Sequence, residues 1–438
     1  MDIVIVTYNS EKWIKRCLDS LLKAKALSSD LKLFFVDNHS SDQTVELLTA
    51  YEKKDDFSRF EIIQQEQNQG FGNANNLGAS FGNDEIVCFL NVDKEVFEDT
   101  FKRLEEIIAE SSKEIGAWEF RQLPYEHPKI YDPVTGITSW MSGAAFAVRR
   151  EIFEKLQGFD KNIFMYAEDV DFSWRLRASD YKIKYCPTVK IMHYSYESIG
   201  AVKPAQYVNS LINNLLLRYR FGSFSDVMRG YFQFAIVFFL HRAPYPGAKK
   251  QLLQAFAAHF SRISSFNNKS YARAQVGQFL EWDYEITRDN KIQTQKDCEF
   301  CPLVSIIVRT CQRAEVLREA LISIRNQTYS NIEVIVVEDG EASAEKMIVE
   351  EFSELNIRYY STGKKAGRSE AGKLALSKAA GEYINFLDDD DIFFADHVET
   401  LVQALAQNRK YLAAYAFGFE TPVVVESTSP YKYHIKAY

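Results

Sequence analysis

The strongest constraint on how this chain of 438 residues can fold is an internal repeat, because one series of short motifs occurs twice in the same order. The matched positions lie 297 to 303 residues apart. They are Thr7 with Thr310, Asp37 with Asp339, Gly70 with Gly367, and Asp93 with Asp390. Several motifs that recur in one order at nearly one separation predict a duplicated domain.

Strand and helix patterns alternate along the first copy. Apolar runs at 3–6, 31–36, 60–64 and 85–90 predict strands, and helical spacing at 11–25, 41–51 and 73–81 predicts helices. This alternation is typical of a doubly wound, mostly parallel α/β sheet. We therefore expect two Rossmann-like α/β domains at 1–200 and 298–438. A helical connector at 201–297 would join them, since the patterns at 207–220 and 249–263 are helical.

Polar residues follow the predicted strands of the first copy. Open parallel sheets bind their ligands at the carboxyl ends of the strands. The residues at these ends are Thr7, Tyr8 and Asn9, then Asp37 and Asn38, then Asn91 and Asp93. Asp or Asn after a strand is more often an ordinary turn or helix cap. Their joint placement at one edge of the sheet nevertheless favours a ligand site.

Three carboxylates and a guanidinium lie close together in the run at 166–175. If the run begins a helix, Glu168, Asp171 and Arg175 lie near one face, and Asp169 lies close to the N-terminus. A carboxylate in this place can act as a general base toward a hydroxyl. The alternative is an acidic helix start that the helix dipole stabilises, and this alternative explains the clustering less well.

Six motif segments together cover most of residues 1–195. They are VTYNS at 6–10, VDNHSSD at 36–42, NQGFGNANNLG at 68–78, FLNVD at 89–93, WMSGAAFAVRREIFEKLQGFD at 140–160 and FMYAEDVDFSWR at 164–175. In these segments the chain resembles the inverting GT-A glycosyltransferases of family two, especially the rhamnosyltransferase-like branch. The resemblance implies an enzyme with GT-A domains. It would move a sugar from a nucleotide diphosphate to a hydroxyl with inversion.

The resemblance also implies roles for individual residues. Asp37 would contact the nucleotide base, Asp93 would lie in the metal motif, and Asp169 would be the catalytic base. Further donor-binding positions are Thr7, Tyr8, Asn9, Asn38, Asn68, Gly70, Asn91, Glu168, Asp171 and Arg175. In some relatives a His after the base helix also ligands the metal, and His193 fits that position. By spacing alone, a lone His is more often a core or surface residue than a metal ligand.

The metal motif departs from the Asp-x-Asp that is frequent in the family, because Asn91 stands in its first position. This resembles the rhamnosyltransferase-like subgroup and suggests dTDP-L-rhamnose as the donor, with a UDP-hexose as the alternative. A divalent cation would stabilise the departing diphosphate, and both Mg²⁺ and Mn²⁺ remain open. The rival enzyme class, a nucleotidylyltransferase, would need a Gly-rich basic loop where Thr7-Tyr8-Asn9-Ser10 stands.

The second copy resembles the same family through VSIIVRT, VVEDG, GRSEAGKLAL and FLDDDDIF. Asp339 would contact the base, and Asp388 with Asp390 would form the metal motif. The alternative for these acids is a solvated loop. The counterpart of Asp169 would fall beyond Tyr438. We therefore expect a truncated copy that cannot catalyse and that binds a nucleotide or serves as a scaffold.

Charge and apolar runs suggest partners and location. The net charge of −8 argues against a general nucleic-acid binder. No apolar run reaches the ~20 residues of a membrane-spanning helix. The aromatic run at 231–240 has basic flanks, which predicts either an interfacial membrane contact or a buried helix with a basic rim. With scattered cysteines that fit a reducing cytosol, we expect a cytoplasmic enzyme, peripheral on the inner face of the plasma membrane. Its acceptor would be a lipid-linked, growing bacterial surface glycan.

Overall fold

The computed structural model divides the chain into two compact units. The first unit comprises Met1–Tyr131 with Ile137–Gln293, and the second comprises Asp132–Gly136 with Thr294–Tyr438. The described residues are 1–28, 30–54, 56–124, 130–194, 203–267, 271, 279, 301–407, 410–416 and 418. The helical segment that we expected as a connector falls mostly within the first unit.

Strands and helices alternate through the first part of the first unit, as predicted. The strands are β1 (Asp2–Thr7), β2 (Lys32–Asp37), β3 (Arg59–Gln64), β4 (Ile86–Leu90), β5 (Lys94–Val96), β6 (Ile115–Leu123), β7 (Ile137–Thr138), β8 (Ala145–Arg149) and β9 (Lys182–His193). The helices are α1 (Glu11–Lys25), α2 (Thr44–Glu52), α3 (Phe71–Phe81), α4 (Thr100–Glu110), α5 (Arg150–Lys155), α6 (Glu168–Arg177), α7 (Pro204–Phe221), α8 (Phe224–Leu240), α9 (Ala248–His259) and α10 (Ile263–Phe266).

These strands form one sheet in the order β3-β2-β1-β4-β8-β6-β9-β5, with β7 paired to β9. Strands β1 to β4 run parallel, which confirms the predicted α/β sheet. Strand β8 is antiparallel to β4 and β6, and β5 is antiparallel to β9. In the parallel register Thr7 lies opposite Asp37, so the carboxyl ends of β1 and β2 meet at one edge.

Both faces of the parallel strands β1, β2 and β4 are buried, whereas the edge strand β3 is half-buried. Along β2, Leu33 and Phe35 pack on the face that α1 covers, and Phe34 and Val36 pack on the face that α3 covers. A strand covered on both faces needs a continuous apolar run, which is the pattern that the sequence shows. Gly78 lets α3 approach the sheet, because a Cβ atom there would lie 2.4 Å from Cγ1 of Val4.

Helices α7 to α9 share one apolar cluster with α6. Trp174 of α6 shares one apolar cluster with Leu216 and Phe221 of α7, Phe234 of α8 and Leu252 of α9. The cluster joins the predicted helical segment to the helix that carries the acidic run. Among the described residues, no helix combines the length and the apolar character that crossing a membrane requires.

The second unit repeats the parallel part of the first. Its strands are β10 (Val304–Thr310), β11 (Ile332–Glu338), β12 (Ile357–Ser361) and β13 (Tyr383–Asp388), and its helices are α11 (Ala314–Arg325), α12 (Glu345–Glu351), α13 (Arg368–Lys378) and α14 (His397–Gln407). The strand order β12-β11-β10-β13 is that of β3-β2-β1-β4, and every pairing is parallel. The chain therefore contains two mostly parallel α/β sheets, as the repeat predicts.

Candidate active site

Asp37 lies at the carboxyl end of β2 and is almost completely buried. Its carboxylate accepts hydrogen bonds from Thr7 Oγ1 at 3.0 Å, from the Ser40 backbone N–H at 2.9 Å and from Ser40 Oγ at 2.5 Å. Asn9 adopts a left-handed backbone, with φ of 48°, and its Oδ1 accepts the N–H of Ser41 at 2.8 Å. Tyr8, which stands between Thr7 and Asn9 in the sequence, is half exposed. The turns after β1 and β2 are thus tied together around Asp37.

Asn38 organises the loop before α3. Its amide group donates to Asn68 Oδ1 at 2.9 Å and to the Gly70 carbonyl at 3.2 Å. Its Oδ1 accepts from Gln65 and from the Gln69 backbone. Because the buried amide donates twice and accepts twice within the protein, it shapes the loop.

Gly70 is required by two features of the same loop. Its φ of 83° lies in a region that side chains disfavour. A Cβ atom at this position would also lie 2.2 Å from the Phe164 carbonyl oxygen. That oxygen accepts the N–H of Phe71 at 2.9 Å. The start of α3 is thereby joined to the segment that leads into α6.

Asp169 lies in the first turn of α6, and its carboxylate has a defined orientation. Oδ2 accepts the Gly143 N–H at 2.7 Å, and Oδ1 accepts the Val170 N–H at 2.9 Å. The neighbouring Ala144 carbonyl accepts the N–H of Asn91, which follows β4. Asp169 therefore lies next to the edge where β4 ends. A carboxylate at a helix N-terminus is stabilised in its charged form.

The turn before Asp169 is strained and is held from α7. Tyr166 and Ala167 have φ angles of 69° and 71°, and left-handed residues with a Cβ are disfavoured. Asn213 of α7 donates to the carbonyl of Met165 at 3.1 Å and to that of Tyr166 at 2.7 Å. The Asn213 Oδ1 atom is in turn bonded by Arg262. The turn is thus fixed from outside the motif.

Glu168 is a buried acid whose pKa is raised to about 8, first by burial and then by the negative charge of Asp169. One of its carboxyl oxygens has no hydrogen-bond partner within the described part of the chain. The side chain is therefore neutral at neutral pH.

Asp171 and Arg175 are fully buried in an ion cluster. Arg175 donates to Asp171 at 2.7 Å and to the carbonyls of Leu156 and Gly158. Arg220 of α7 pairs with the other oxygen of Asp171. We had expected both residues to bind the donor, but the structure turns them toward α7 and the loop before α6. Their location fits a role in positioning α6.

Asp93 lies beside a fully buried lysine and a histidine. Lys94 Nζ is 2.5 Å from Asp93 Oδ1, and His193 Nε2 is 3.4 Å from Asp93 Oδ2. Burial by itself would raise the pKa of Asp93, but the charge of Lys94 holds it well below its usual range. Burial lowers the pKa of Lys94 to about 8, against the attraction of Asp93.

The tautomer of His193 fits a role as a metal ligand. Its Nδ1 lies 2.8 Å from Gln122 Oε1, which only accepts hydrogen bonds, so Nδ1 carries the proton. Burial, together with the charge of Lys94, lowers the pKa of His193 to about 4, so the ring is neutral. Its Nε2 lone pair then faces a carboxylate oxygen of Asp93. A divalent cation shared by these two atoms would satisfy both, although no group of three acidic, His or Cys side chains surrounds them among the described residues.

Several residues of the site carry no recognisable sequence signal. Gly143 acts through its backbone N–H, and Asn213 lies on a helix outside the motif segments. Lys94 stands next to Asp93, but a lysine after an acid usually points to solvent. Asn91, by contrast, was predicted, and its Oδ1 is buried without a partner among the described atoms.

The strand register of the second unit changes one expected correspondence. Thr310 lies opposite Glu338, as Thr7 lies opposite Asp37. Glu338 is therefore the counterpart of Asp37, and Asp339 is the counterpart of Asn38. The side-chain contacts agree, since Asp339 accepts the N–H of Gly367 as Asn38 contacts Gly70. The two acids are adjacent in sequence at the end of β11, and the backbone pairing together with these contacts distinguishes them.

The acids after β13 are paired with arginines. Arg309 lies 2.6 Å from Asp388, and Arg313 lies 3.1 Å from Asp390. Both carboxylates are more than half exposed. The Glu338 carboxylate is occupied by the N–H groups of Ser343 and Ala344. The donor-side acids of this unit therefore all have partners within the unit.

A parallel sheet with acidic turns at its carboxyl edge, followed by the Asp169 helix, defines the GT-A class of fold. The chain belongs to glycosyl transferase family 2, whose profile matches residues 2–166 and 305–436. These two matches cover more than half of the chain. The first includes β1 to β8, and the second includes nearly all of the four strands β10 to β13.

Individual relatives match shorter segments. Glycosyltransferase GlyA of Streptococcus pneumoniae is 35% identical over 136 residues, which are 30% of this chain and 18% of the relative. The GalNAc(5)-diNAcBac-PP-undecaprenol beta-1,3-glucosyltransferase of Campylobacter jejuni is 33% identical over 120 residues, 27% of this chain and 38% of the relative. Each match thus spans less than half of the relative. The crystal structure of S. aureus TarS 1-349 with UDP-GlcNAc has 16% identity and a TM-score of 0.43, over 60% of this chain and 83% of that one.

Proposed function

We propose that the first unit transfers a sugar from a nucleotide diphosphate to an acceptor hydroxyl with inversion, and that Asp169 is the base. The observation that carries the proposal is the orientation of Asp169 by the Gly143 and Val170 N–H groups, next to the edge where β4 ends. A base must be held at a defined place to meet the acceptor proton. Membership of glycosyl transferase family 2 supports the reaction class.

In the proposed reaction Asp169 takes the proton of the acceptor hydroxyl. The acceptor oxygen forms a bond to the anomeric carbon while the bond from that carbon to the diphosphate oxygen breaks. The nucleotide diphosphate leaves with the bonding electrons, and the configuration inverts. Glu168 assists indirectly, because its raised pKa keeps it neutral at neutral pH, and it therefore adds no second negative charge beside the base.

Donor binding is assigned to the edge around Asp37. The turns that hold Asp37 bury it at the carboxyl end of β2, where a carboxylate can accept a hydrogen bond from a nucleotide base. Asp93 and His193 would hold Mg²⁺ or Mn²⁺, which when bound stabilises the charge of the diphosphate. We propose dTDP-L-rhamnose as the donor, because Asn91 stands where the family often has the first Asp of Asp-x-Asp, as in the rhamnosyltransferase-like subgroup. A UDP-hexose is the alternative.

The acceptor in this proposal is a lipid-linked, growing bacterial glycan, and the enzyme works at the inner face of the plasma membrane. The name of the Campylobacter jejuni relative includes a polyprenyl diphosphate acceptor, which supports a lipid-linked acceptor for this chain. The exposed aromatic side of α8 supports peripheral attachment.

For the second unit we propose a role in binding or scaffolding. What supports this proposal is that its four parallel strands repeat the order of the strands that carry the donor-side residues in the first unit. Titration calorimetry of the whole chain with dTDP and UDP tests this proposal. A site that survives Asp37→Ala and is lost in Asp390→Ala would show that the second unit binds nucleotide. One site, lost in Asp37→Ala, would favour a scaffold.

Asp169→Asn tests the proposed base. General base catalysis contributes roughly 100- to 10,000-fold, so we expect transfer to fall by that factor. Donor affinity should stay within about threefold, because the amide keeps the shape of the side chain. Asp180→Asn, an exposed change just after α6, is the matched control. Transfer at the wild-type rate in Asp169→Asn would disprove the role.

A screen of dTDP- and UDP-sugars with Mg²⁺ or Mn²⁺ identifies the donor, and NMR of the product's anomeric configuration tests inversion.

A further inference from the structure

A basic stretch without acids interrupts an otherwise acidic chain. The chain has a net charge of −8, yet residues 227–280 contain no Asp or Glu and seven Lys or Arg residues. Arg229, Arg242, Lys249 and Lys250 of this stretch are exposed. They lie on α8, on α9 and in the loop between them. This surface therefore carries positive charges that no acid of the same stretch offsets.

Helix α8 is apolar on its exposed side as well as on its buried side. The residues that it buries are Gly230, Phe234 and Val237. On the other side Phe224, Met228, Phe232 and Phe239 lie within an arc of roughly 80°, given 3.6 residues per turn. Phe224 is 79% exposed and Phe239 is 73% exposed. Leu240, at the end of the helix, is also largely exposed.

An apolar side of this size on a helix is normally covered. Helices that are apolar all round are found in protein cores or in contact with lipid. In α8 the buried side already packs on α7 and α9 through the cluster around Phe234 and Leu252. The capping box formed by Ser223 and Asp226 fixes the start of the helix, so the exposed aromatic residues stand on a firm scaffold.

We propose that α8 and α9 form a surface that binds an anionic lipid membrane and lies in its interface without crossing it. Aromatic and long apolar side chains favour the interfacial region of a bilayer. Basic residues beside them are attracted to anionic headgroups, by about fivefold in affinity for each residue near the surface. In this proposal the run at 231–240 combines the two alternatives that its pattern predicts. One side of the helix is buried in the protein, and the other side contacts the membrane interface.

Charge favours lipid over a second copy of the chain. A twofold contact places the same patch on both partners, so Arg229, Lys249 and Lys250 would approach their own copies. Like charges brought together across an interface oppose association. An anionic lipid surface instead supplies the opposite charge over its whole area.

The proposed lipid-binding surface is adjacent to the catalytic support. Helix α7 carries Asn213 and Arg220, which hold the turn before Asp169 and the Asp171 ion cluster. The same helix packs on α8 and α9. The purpose of this surface, which is to bring the enzyme to a lipid-linked acceptor, rests on the proposed function. Lipid binding itself requires no transfer, so the two can fail separately.

The test is co-sedimentation of the whole chain with vesicles. Phosphatidylcholine vesicles are compared with vesicles that contain 30% phosphatidylglycerol, at about 0.1 M and about 0.5 M salt. We expect binding to the anionic vesicles that weakens at high salt. The double variant Phe232→Ser with Phe239→Ser should bind at least tenfold more weakly. Lys249→Gln with Lys250→Gln should lower binding to anionic vesicles by about 25-fold, since each base contributes about fivefold.

Matched variants separate lipid binding from general surface hydrophobicity and from self-association. Leu27→Ser with Val349→Ser removes two exposed apolar residues elsewhere and should leave vesicle binding unchanged. Transfer to a water-soluble acceptor should be unchanged in the Phe232/Phe239 variant. Equal vesicle binding by that variant and the wild type would overturn the proposal. So would a wild-type dimer in light scattering that the variant abolishes, because the surface would then bind a second copy. Lack of transfer by a wild type that binds vesicles would reject the proposed function alone.

Discussion

Replacing Asn213 with alanine should slow transfer without weakening donor binding. Asn213 donates to two carbonyls of a turn in which Tyr166 and Ala167 are left-handed. A left-handed residue with a side chain costs about 1 to 2 kcal/mol, so the turn costs about 2 to 4 kcal/mol. Each hydrogen bond contributes about 1 kcal/mol, so the variant loses about 2 kcal/mol of support. That loss shifts the population of the turn by about 30-fold.

In the proposed mechanism the rate depends on the population of the turn, because the proposed base Asp169 follows it directly. We therefore expect kcat to fall about 10- to 30-fold in Asn213→Ala, while the Kd of the donor nucleotide stays within about twofold. Initial rates and calorimetry measure the two quantities. Ser210→Ala on the same helix is the control, and it should change neither. A kcat within threefold of the wild type in a folded variant would show that Asn213 does not hold the turn. Parallel losses in kcat, donor affinity and Tm would instead indicate general unfolding.

Two further changes test other parts of the site. Gly70→Ala should destabilise the first unit and reduce transfer, because its Cβ would lie 2.2 Å from the Phe164 carbonyl oxygen at a positive φ. At Gly367 φ is also positive, but an added Cβ would have no atom of the described residues, apart from its chain neighbours, within 4 Å, so Gly367→Ala should show only the backbone cost of about 1 to 3 kcal/mol. Equal unfolding free-energy losses in urea would contradict the close contact. Glu168 keeps its proton in the folded state up to about pH 8, whereas the unfolded chain releases it near 4.5. Stability should therefore fall as pH rises between these values in the wild type relative to Glu168→Gln. The unfolding free energies of the wild type and of Glu168→Gln are measured in urea at pH 5 and at pH 8. The same difference between the two proteins at both pH values would refute the raised pKa.

The elements that the sequence predicts well are those with a local pattern. Helix α1 begins and ends where the apolar spacing predicts, at Glu11 and Lys25. The parallel strands β1, β2 and β4 of the first unit are also recognisable, because each is an apolar run covered on both faces. Strands β5 and β7 have three and two residues, too few for any periodic pattern. Their pairing depends on β9, far along the chain.

The candidate site divides in the same way. Asp37, Asp93 and Asp169 could be predicted because each stands at the end of a recognisable strand or at the start of a recognisable helix. The partners Gly143 and Asn213 could not, since they reach Asp169 and the turn before it only in the folded chain, whereas His193 was expected near Asp93 from the resemblance. Asp171 shows the opposite case. It lies within the motif, yet the fold buries it with Arg175 and Arg220.

The sequence by itself determined that two parallel sheets form and that acids gather at their carboxyl edges, because strand ends and apolar runs are local properties. Only the tertiary structure decided the pKa values of these acids and which residues of the second unit correspond to those of the first. Lys94 lowers the pKa of Asp93, while burial and Asp169 keep Glu168 protonated. Backbone pairing makes Glu338, rather than its neighbour Asp339, the counterpart of Asp37. Charge state and register depend on burial and on partners distant in sequence, and these exist only once the chain has folded.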